Sequence, residues 1–272
     1  MNKNLKKISN NIRINIIKSV SAAKSGHPGG SLSIADILTV LYFEKMNIDP
    51  KDPKNPNRDR LVLSKGHSAP ALYATLAERG YFPQEELLGL RKYGSKLQGH
   101  PDMKKVEGVD MSTGSLGQGL SAANGMALAG KLDNSTYRVY AILGDGEVQE
   151  GQIWEAAMSS AHYKLNNLTA FLDLNGLQID GSNEEVMSIS PIDEKFKAFG
   201  WNVLTVNGHC IEEISKAIDE AAATKGKPTI IVCNTVKGKG ISFMENNVAW
   251  HGSAPNQEQT EKALAELEGG EK

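Results

Sequence analysis

The sequence is poor in cysteine and has no long apolar run, and both shortages narrow its class. Among its 272 residues are two cysteines, Cys210 and Cys233. Their spacing is not that of a metal-binding motif. No apolar stretch approaches the roughly 20 residues that a membrane-spanning helix needs. The segment from Met1 to Val20 is rich in Lys and Asn and lacks the apolar core of a signal peptide. We therefore expect a cytoplasmic protein with reduced thiols and no membrane contact.

An excess of charge of either sign is also missing. The 30 Lys and Arg residues against 32 Asp and Glu residues leave a net charge of −2. Neither nucleic acid nor an anionic membrane surface is therefore indicated as a partner. Internal repeats and low-complexity segments are absent as well. The composition, 40% hydrophobic and 23% charged, suits one large α/β domain over residues 1–272 with a full core.

What the sequence does contain is a β-α-β unit that ends at Gly176. The runs 138–143 and 168–174 have the β-rich composition of buried strands, and the helical spacing of small and apolar residues over 152–164 predicts a helix between them. Further strands are predicted at 60–63, 202–206 and 228–234. Because strands alternate with helices, we predict a doubly wound, mostly parallel sheet with helices on both faces.

The remaining helices follow from periodicity and capping residues. An amphipathic stripe near the N-terminus consists of Leu5, Ile8, Ile12, Ile16 and Val20. Ser33 is the predicted N-cap of a helix that reaches Phe43, with Asp36 in its first turn. Other helices are predicted at 70–78, 83–90, 192–199, 211–224 and 257–267, and an Ala-rich helix is predicted to reach Lys131.

Asp145 and Asn175 follow the two strands of the β-α-β unit, each in a turn that contains glycine. Since the carboxyl ends of parallel strands share one edge, both residues are expected at the edge where open α/β sheets bind ligands. A carboxylate and an amide oxygen suit Mg²⁺, which is commonly held by one or two protein groups together with substrate phosphates. The flanking glycines let the backbone approach such a ligand. The alternative is an ordinary turn with a solvated Asp and Asn.

A second glycine-rich stretch, Gly114 to Gly119, opens a helix. Its free N–H groups and the helix dipole suit a phosphate, although one dipole contact contributes only about 0.3–1 kcal/mol. Removing a pyrophosphate from water costs far more, so Mg²⁺ has to neutralise most of its charge. The glycine-rich stretch and the Asp145 and Asn175 turns together therefore favour a site for Mg²⁺ and a diphosphate more strongly than either does alone. Taken alone, this stretch also fits a helix start packed through small residues.

Four of the six histidines lie in glycine-framed turns: His27, His67, His100 and His251. If these turns converge at one sheet edge, their imidazoles can donate to phosphate or take protons from sugar hydroxyls near neutral pH. A zinc site is disfavoured, because no two of these histidines have i,i+4 spacing and no cysteine is near them. His162 and His209 are interpreted as structural or surface residues.

These motifs resemble transketolases, block by block and in the same order along nearly the whole chain. The blocks are Ser25 to Pro28, Lys65 to Pro70, Gln98 to Pro101, Thr113 to Gly119, Gly144 to Ala157 and Trp250 to Gly252. Gly144-Asp145-Gly146 followed by the Asn175 turn is similar to the thiamine-diphosphate motif. That motif often ends in Asn-Asn, whereas here Gly176 follows Asn175. A second departure is Gly29-Gly30, where many relatives carry larger residues.

The resemblance implies a role for each matching residue. Mg²⁺ would be held by Asp145, Asn175 and the carbonyl of Leu177. Thiamine diphosphate would be bound by His67, Gly114, Ser115, Leu116, Gly146, Asn175, Lys237 and His251. His27, His100 and His251 would face the sugar hydroxyls and act in catalysis. Glu150 and Glu155 would lie near a pyrimidine-binding domain or, alternatively, on a solvated helix start. Lys65 and Lys239 are interpreted as generic basic residues.

The resemblance also implies a partner. We expect the pyrimidine-binding and C-terminal domains on a separate C-terminal subunit, in an assembly with two of each chain, and we expect this chain to be inactive alone. Together they would transfer a two-carbon ketol unit between sugar phosphates. The alternatives are a subunit of another thiamine-diphosphate enzyme, of the 2-oxoacid dehydrogenase or deoxyxylulose-phosphate synthase type, or a non-catalytic binding module. A dinucleotide-binding fold is disfavoured because its glycine motif is missing after the first strand.

Overall fold

A five-stranded parallel sheet forms the centre of the protein. The computed structural model describes residues 3–269, and residues 1, 2 and 270–272 of the predicted domain lie outside that range. The strands are β1 (Arg60–Leu63), β2 (Val139–Gly144), β3 (Leu168–Leu174), β4 (Leu177–Gln178), β5 (Gly181–Ser182), β6 (Asn202–Asn207) and β7 (Thr229–Asn234). The main sheet has the order β1-β2-β3-β7-β6 with every neighbouring pair parallel. The short strands β4 and β5 form an antiparallel hairpin directly after β3.

Helices cover both faces of this sheet, which confirms the predicted doubly wound α/β class. They are α1 (Lys3–Ala23), α2 (Pro28–Leu32), α3 (Ala35–Val40), α4 (Ala69–Arg79), α5 (Gln118–Leu132), α6 (Gly151–His162), α7 (Asn183–Val186), α8 (Ile192–Ala198), α9 (Ile211–Ala223) and α10 (Gln257–Gly269). A π-helical turn, Leu41–Lys45, continues α3, and the helix predicted at 83–90 is a 3₁₀ helix, Gln84–Gly89. Over residues 3–269, none of these helices is both long and apolar enough to cross a membrane.

Each strand of the main sheet sends alternate side chains into two separate cores. On β2, Tyr140 and Ile142 join the core formed with α1, α3, α4 and α9. Val139, Ala141 and Leu143 join the core formed with α5, α6 and α8. Because both faces of a parallel sheet are buried, its strands are continuously apolar rather than alternating. The predicted stripe of α1 faces the first core, with Ile12 and Ile16 completely buried.

The prediction that Ser33 caps a helix is wrong, because α3 begins at Ala35 and has Ile34 at its N-cap position. The chain instead forms α2 and α3 with a break at residues 33 and 34. The Ser33 hydroxyl donates to the Asp173 carboxylate at 2.7 Å and to the Gly30 carbonyl at 3.1 Å. A completely buried carboxylate needs hydrogen-bond donors, and Ser33 serves this carboxylate instead of capping a helix. Asp36 likewise pairs with the guanidinium of Arg13, at 2.6 Å.

Candidate active site

A cavity of about 350 Å³ opens at the carboxyl edge of the sheet. Turns after β1, β2, β3 and β7 contribute Lys65, Asp145, Asn175 and Lys237 to its wall. Most of the residues predicted from the sequence line it: His27, His67, Gly114, Leu116, Asp145, Gly146, Asn175, Leu177, Lys237 and His251. The structure thus brings together residues from distant parts of the chain, whose roles stay predictions.

Two predicted site residues, His100 and Ser115, are exposed and do not line the cavity. His100 packs against Gly114, where an added Cβ would come within 2.8 Å of the imidazole Cδ2. Ser115 follows Gly114 in the same loop but is not part of the lining. His100 therefore stands close to the cavity, and its predicted contact with a sugar hydroxyl requires a ligand that extends past Gly114.

Asp145 ties the turn after β2 to the turn after β3. One carboxylate oxygen accepts the N–H of Gly146 at 2.8 Å. The other accepts the N–H groups of Asn175 at 3.0 Å and Gly176 at 2.6 Å. Burial and the neighbouring charge of Asp173 raise the pKa of Asp145, so its anionic form is poorly compensated by the surrounding protein. A cation bound at this turn would supply the missing positive charge.

Two further oxygen atoms suit a hard cation beside Asp145. The Asn175 amide donates to Asp173 at 3.1 Å, and its oxygen accepts the N–H of Leu177 at 3.2 Å. The Leu177 carbonyl accepts the ammonium of Lys237 at 3.2 Å, which shows that this oxygen attracts positive charge. One carboxylate, one amide and one carbonyl oxygen fit Mg²⁺ that takes its other ligands from phosphate and water. Within residues 3–269, no cluster of three His, Cys, Asp or Glu side chains offers a competing metal site.

A buried ion pair between Lys65 and Asp173 lies under the cavity. The ammonium of Lys65 is 2.6 Å from the carboxylate, with the side chains 2% and 0% exposed. Burial alone would raise the pKa of Asp173, but Lys65 and the hydroxyls of Thr235 and Ser33 lower it below its usual value. The prediction that Lys65 is a generic basic residue is therefore wrong. The available signal was Asp173 itself, since a carboxylate inside an apolar strand requires a buried cation or donors.

Three of the predicted histidines form one cluster. The ring centroids are 5.3 Å apart for His27 and His67, 5.5 Å for His27 and His251, and 5.3 Å for His67 and His251. Burial, with the charge of Arg91, lowers the pKa of His27 to about 4. Burial, with the charge of Lys237, lowers the pKa of His251 to about 3. Burial and Lys65 likewise hold the pKa of His67 well below its usual value.

The cluster is therefore neutral at pH 7 and has unused hydrogen-bonding atoms. The Nδ1 atoms of His27 and His251 are buried and have no partner among the residues that the structure describes. Buried polar atoms in proteins are nearly always paired. The cluster thus holds two unpaired polar atoms beside the cavity.

The positive groups around the cavity suit an anion. Burial, together with the charge of Lys65, lowers the pKa of Lys237 to about 8, so most of its ammonium remains charged at pH 7. Arg91 donates to the Ser25 hydroxyl at 2.9 Å. Burial and the positive charge of Arg91 together lower the pKa of His100. Lysine and arginine in this arrangement favour phosphate groups.

Two glycines of the predicted turns lie where another segment of backbone comes too close for a side chain. A Cβ on Gly66 would lie 2.7 Å from the backbone nitrogen of Gly114, so the loops after β1 and before α5 can approach this closely because residue 66 has no side chain. A Cβ on Gly29 would lie 2.7 Å from the carbonyl oxygen of Trp250. The departure at Gly29-Gly30 thus lets the loop that carries His251 reach the cavity.

The other polar residues named in the sequence analysis take different positions relative to this cavity. Glu150 lines the cavity and is exposed, and Glu155 is exposed on α6. His209 bonds to Asp36 at 2.8 Å through Nδ1 and accepts the N–H of Val236 at 2.9 Å through Nε2. It therefore supports the turn that precedes Lys237. Lys239 instead pairs with Glu245, at 3.0 Å.

Comparison with known proteins relates almost the whole chain to one family. The family model described as the thiamine diphosphate binding domain of transketolase matches residues 4–269. The chain is 50% identical over 260 residues to the 6-deoxy-6-sulfo-D-fructose transketolase subunit SqwG of a Clostridium species, covering 96% of this chain and 94% of that protein. It is 45% identical over 255 residues to an apulose-4-phosphate transketolase subunit from Phocaeicola vulgatus, covering 94% and 90%.

Solved structures show the same relationship in three dimensions. The transketolase from Leishmania mexicana superposes with a TM-score of 0.92 at 34% sequence identity. The match covers 97% of this chain but 41% of that one. The described fold thus corresponds to less than half of a longer single chain and to nearly all of the two shorter proteins.

Proposed function

We propose, because this chain belongs to the transketolase family, that it is the N-terminal subunit of an enzyme that transfers a two-carbon ketol unit from a ketose phosphate to an aldose phosphate. The observation that carries the proposal is the convergence of the Asp145 turn, the Asn175 turn and the histidine cluster on one cavity. Both shorter relatives are named as transketolase subunits. This favours ketol transfer over the other thiamine-diphosphate reactions and over a non-catalytic module.

The cavity suits the diphosphate end of thiamine diphosphate together with Mg²⁺. When bound, this cofactor supplies a nucleophilic carbon that breaks and forms carbon–carbon bonds beside a ketose carbonyl. Asp145, Asn175 and the Leu177 carbonyl would hold the metal ion. The ligands proposed for the cofactor itself are the predicted set: His67, Gly114, Ser115, Leu116, Gly146, Asn175, Lys237 and His251.

The histidine cluster suits proton transfer at a sugar hydroxyl. His27 and His251 are neutral at pH 7 because burial depresses their pKa values. A neutral imidazole can accept the proton of the C3 hydroxyl when the C2–C3 bond breaks and return it to the acceptor sugar. His100, on the far side of Gly114, is proposed to donate to the C1 hydroxyl. Desolvation thus keeps these bases in the form that the reaction needs.

A partner chain is proposed to complete the site. The cavity wall holds cationic and polar groups suited to an anion, whereas the aminopyrimidine half of the cofactor needs a glutamate that transketolases carry on another domain. We propose that a C-terminal subunit provides this domain and that two copies of each chain assemble. Exposed Glu150 beside the cavity would lie near that contact.

The cytoplasm is the proposed compartment. Cys210 and Cys233 are both free thiols, and Cys233 is completely buried. Burial raises the pKa of Cys233 well above its usual value, which makes this thiol unreactive. Free thiols are ordinary in a reducing compartment.

Ketol transfer with the purified chain, with and without its candidate partner chain, tests the proposal. The assay contains Mg²⁺, thiamine diphosphate and ribose 5-phosphate as acceptor. Three donors are compared, namely xylulose 5-phosphate, 6-deoxy-6-sulfo-D-fructose and apulose 4-phosphate, because the shorter relatives carry the latter two in their names. We expect activity with at least one of the two phosphorylated donors in the mixture and none with this chain alone. Transfer from the sulfo sugar alone would support ketol transfer but contradict a ketose phosphate as the donor.

The Asp145→Ala variant provides the control for the metal site. Removing the carboxylate should lower the rate of the mixture by about 100-fold or more, since it removes a ligand as well as the link between two turns. Full activity of this chain alone would contradict the proposal that it needs a partner chain. A well-formed mixture that transfers no ketol unit from any of the three donors would contradict the proposed reaction.

A further inference from the structure

We propose that Glu147 is a positioning residue that holds the phosphate-side loop and the metal-side turn in one fixed arrangement. The phosphate-side loop is Gly114 to Gly117, and the metal-side turn is Gly144 to Gly146. The inference rests on the proposed binding of thiamine diphosphate and goes beyond it by assigning a task to Glu147, a buried residue of the cavity wall that is outside the predicted set of ligands.

The side chain of Glu147 joins three separate segments. One carboxylate oxygen accepts the hydroxyl of Ser64, at the end of β1, and the N–H of Gly117 at 2.9 Å, at the start of α5. The other oxygen accepts the N–H of Gly144 at 3.0 Å, at the end of β2. Glu147 is 2% exposed. A single buried carboxylate therefore connects both halves of the proposed diphosphate site to the first strand.

Each connected segment leads directly to residues of the cavity wall. Ser64 precedes Lys65, Gly117 closes the loop that begins at Gly114, and Gly144 precedes Asp145. Gly117 has φ of 88° and provides no side-chain cap for α5. The Glu147 carboxylate accepts the N–H of this N-cap residue, so the helix start and the metal-side turn share one acceptor.

The geometry requires a carboxylate rather than an amide. Two backbone N–H groups and one hydroxyl converge on the side chain, and all three act as donors toward it. A glutamine would aim its NH₂ group at either the Gly144 N–H or the Gly117 N–H, and neither can rotate to become an acceptor. One buried N–H is therefore left unpaired in either orientation, and one of the two segments is released.

The Glu147→Gln variant tests the inference in the assembled two-chain enzyme. The dissociation constant of thiamine diphosphate at fixed Mg²⁺ is measured by calorimetry, and the melting temperature is recorded in parallel. We expect the dissociation constant to rise about tenfold, because a ligand must then order a loop that is fixed in the parent protein. At saturating cofactor kcat should recover most of its parent value, which distinguishes a positioning residue from a catalytic one.

Asp59→Asn is the matched control. Asp59 is 5% exposed and accepts the N–H groups of Arg138 at 2.7 Å and Asn47 at 2.8 Å. It does so at the opposite edge of the same sheet, before β1. This variant should lower the melting temperature comparably but leave the cofactor dissociation constant unchanged. Equal effects of both variants on that constant, or no effect of Glu147→Gln, would overturn the inference.

A second variant covers the case in which Glu147→Gln does not fold. Ser64→Ala removes only the hydroxyl bond and keeps both backbone bonds of Glu147. It should raise the dissociation constant by about threefold, since only one of the three hydrogen bonds that hold Glu147 is lost, and an unchanged value would contradict the inference. If the unsubstituted enzyme binds no thiamine diphosphate, the proposed function itself fails. Binding that is insensitive to these variants overturns only the role of Glu147.

Discussion

At the scale of single residues, the site is governed by burial acting on charge. Burial keeps the imidazoles of His27 and His251 neutral, while Lys65 keeps Asp173 ionised inside the protein. Burial favours the neutral form of both kinds of side chain. Asp173 nevertheless stays charged, because a counter-charge lies within hydrogen-bond distance of it. The Nδ1 atoms of the two histidines remain unpaired among the described residues, whereas the carboxylate has four donors.

The neutral histidines predict how stability depends on pH. Unfolded histidines take up protons below their usual pKa near 6.5, whereas His27 does so only near 4 in the folded chain. Between these values the unfolded state binds more protons, so the free energy of unfolding falls as the pH is lowered from 6.5 to 4. Urea denaturation of the isolated chain at several pH values measures this slope.

Two variants test whether the histidine cluster causes this pH dependence of the free energy of unfolding. Replacing both His27 and His251 with Gln should flatten the dependence between pH 6.5 and 4. His162→Gln, an exposed position on α6, should leave the cluster's contribution intact. If the double variant shows the parent slope, the histidines titrate normally in the folded chain and the proposed neutral bases are wrong.

At the scale of elements, the start of α5 determines where the phosphate-side loop lies. Gly119 sits so close to the end of β1 that an added Cβ would be 2.4 Å from the Ser64 Oγ and 2.7 Å from the Ser64 Cα. Real Cβ atoms do not approach backbone so closely, and a shift of α5 would also move the bond between Gly117 and Glu147. The absence of a side chain at Gly119 therefore places the helix start against the strand.

Substitution of Gly119 by Ala should consequently destabilise the protein. Overpacking of this kind costs about 1–3 kcal/mol, which outweighs the gain in helix propensity. Gly125→Ala, on the exposed side of the same helix with no atom within 4 Å of the added Cβ, should be neutral or more stable by about 0.5–1 kcal/mol. Thermal or urea unfolding measures both, and equal stabilities of the two variants would contradict the close packing of α5 on β1.

At the scale of the whole molecule, the described cavity provides the groups for one end of a cofactor. Its walls hold Lys65, Lys237 and the oxygens of Asp145, Asn175 and Leu177, and these groups suit phosphate and a divalent cation. Recognition of the pyrimidine end is expected from the partner chain. The isolated chain should therefore respond to the anionic part of the cofactor alone.

Competition with inorganic pyrophosphate tests this division. In the presence of Mg²⁺, the isolated chain should bind pyrophosphate and thiamine diphosphate with similar affinity. In the mixture with the partner, thiamine diphosphate should bind about 100-fold more tightly than pyrophosphate, because contacts to the ring systems are added. A strong preference of the isolated chain for thiamine diphosphate would show that this chain recognises the pyrimidine as well.

Local sequence pattern was sufficient to predict the class of fold, the five strands of the main sheet and the glycine-framed turns that reach the cavity. The informative patterns were β-rich runs, helical periodicity, and glycine turns directly after strands. Parallel strands necessarily bring such turns to one edge, so Asp145, Asn175 and His67 could be grouped from the sequence alone. The family resemblance added the cofactor and the partner.

The folded chain was needed to show which polar residues face the ligand and which hold others in place. Lys65, Asp173 and Glu147 act through contacts between positions 30 to 108 residues apart, and no local pattern encodes such pairs. Ser33 has the sequence features of an N-cap but donates to Asp173, because an unsatisfied buried carboxylate costs more than a missing cap. Desolvation, which sets the protonation of the histidines, likewise exists only once the chain has folded around them.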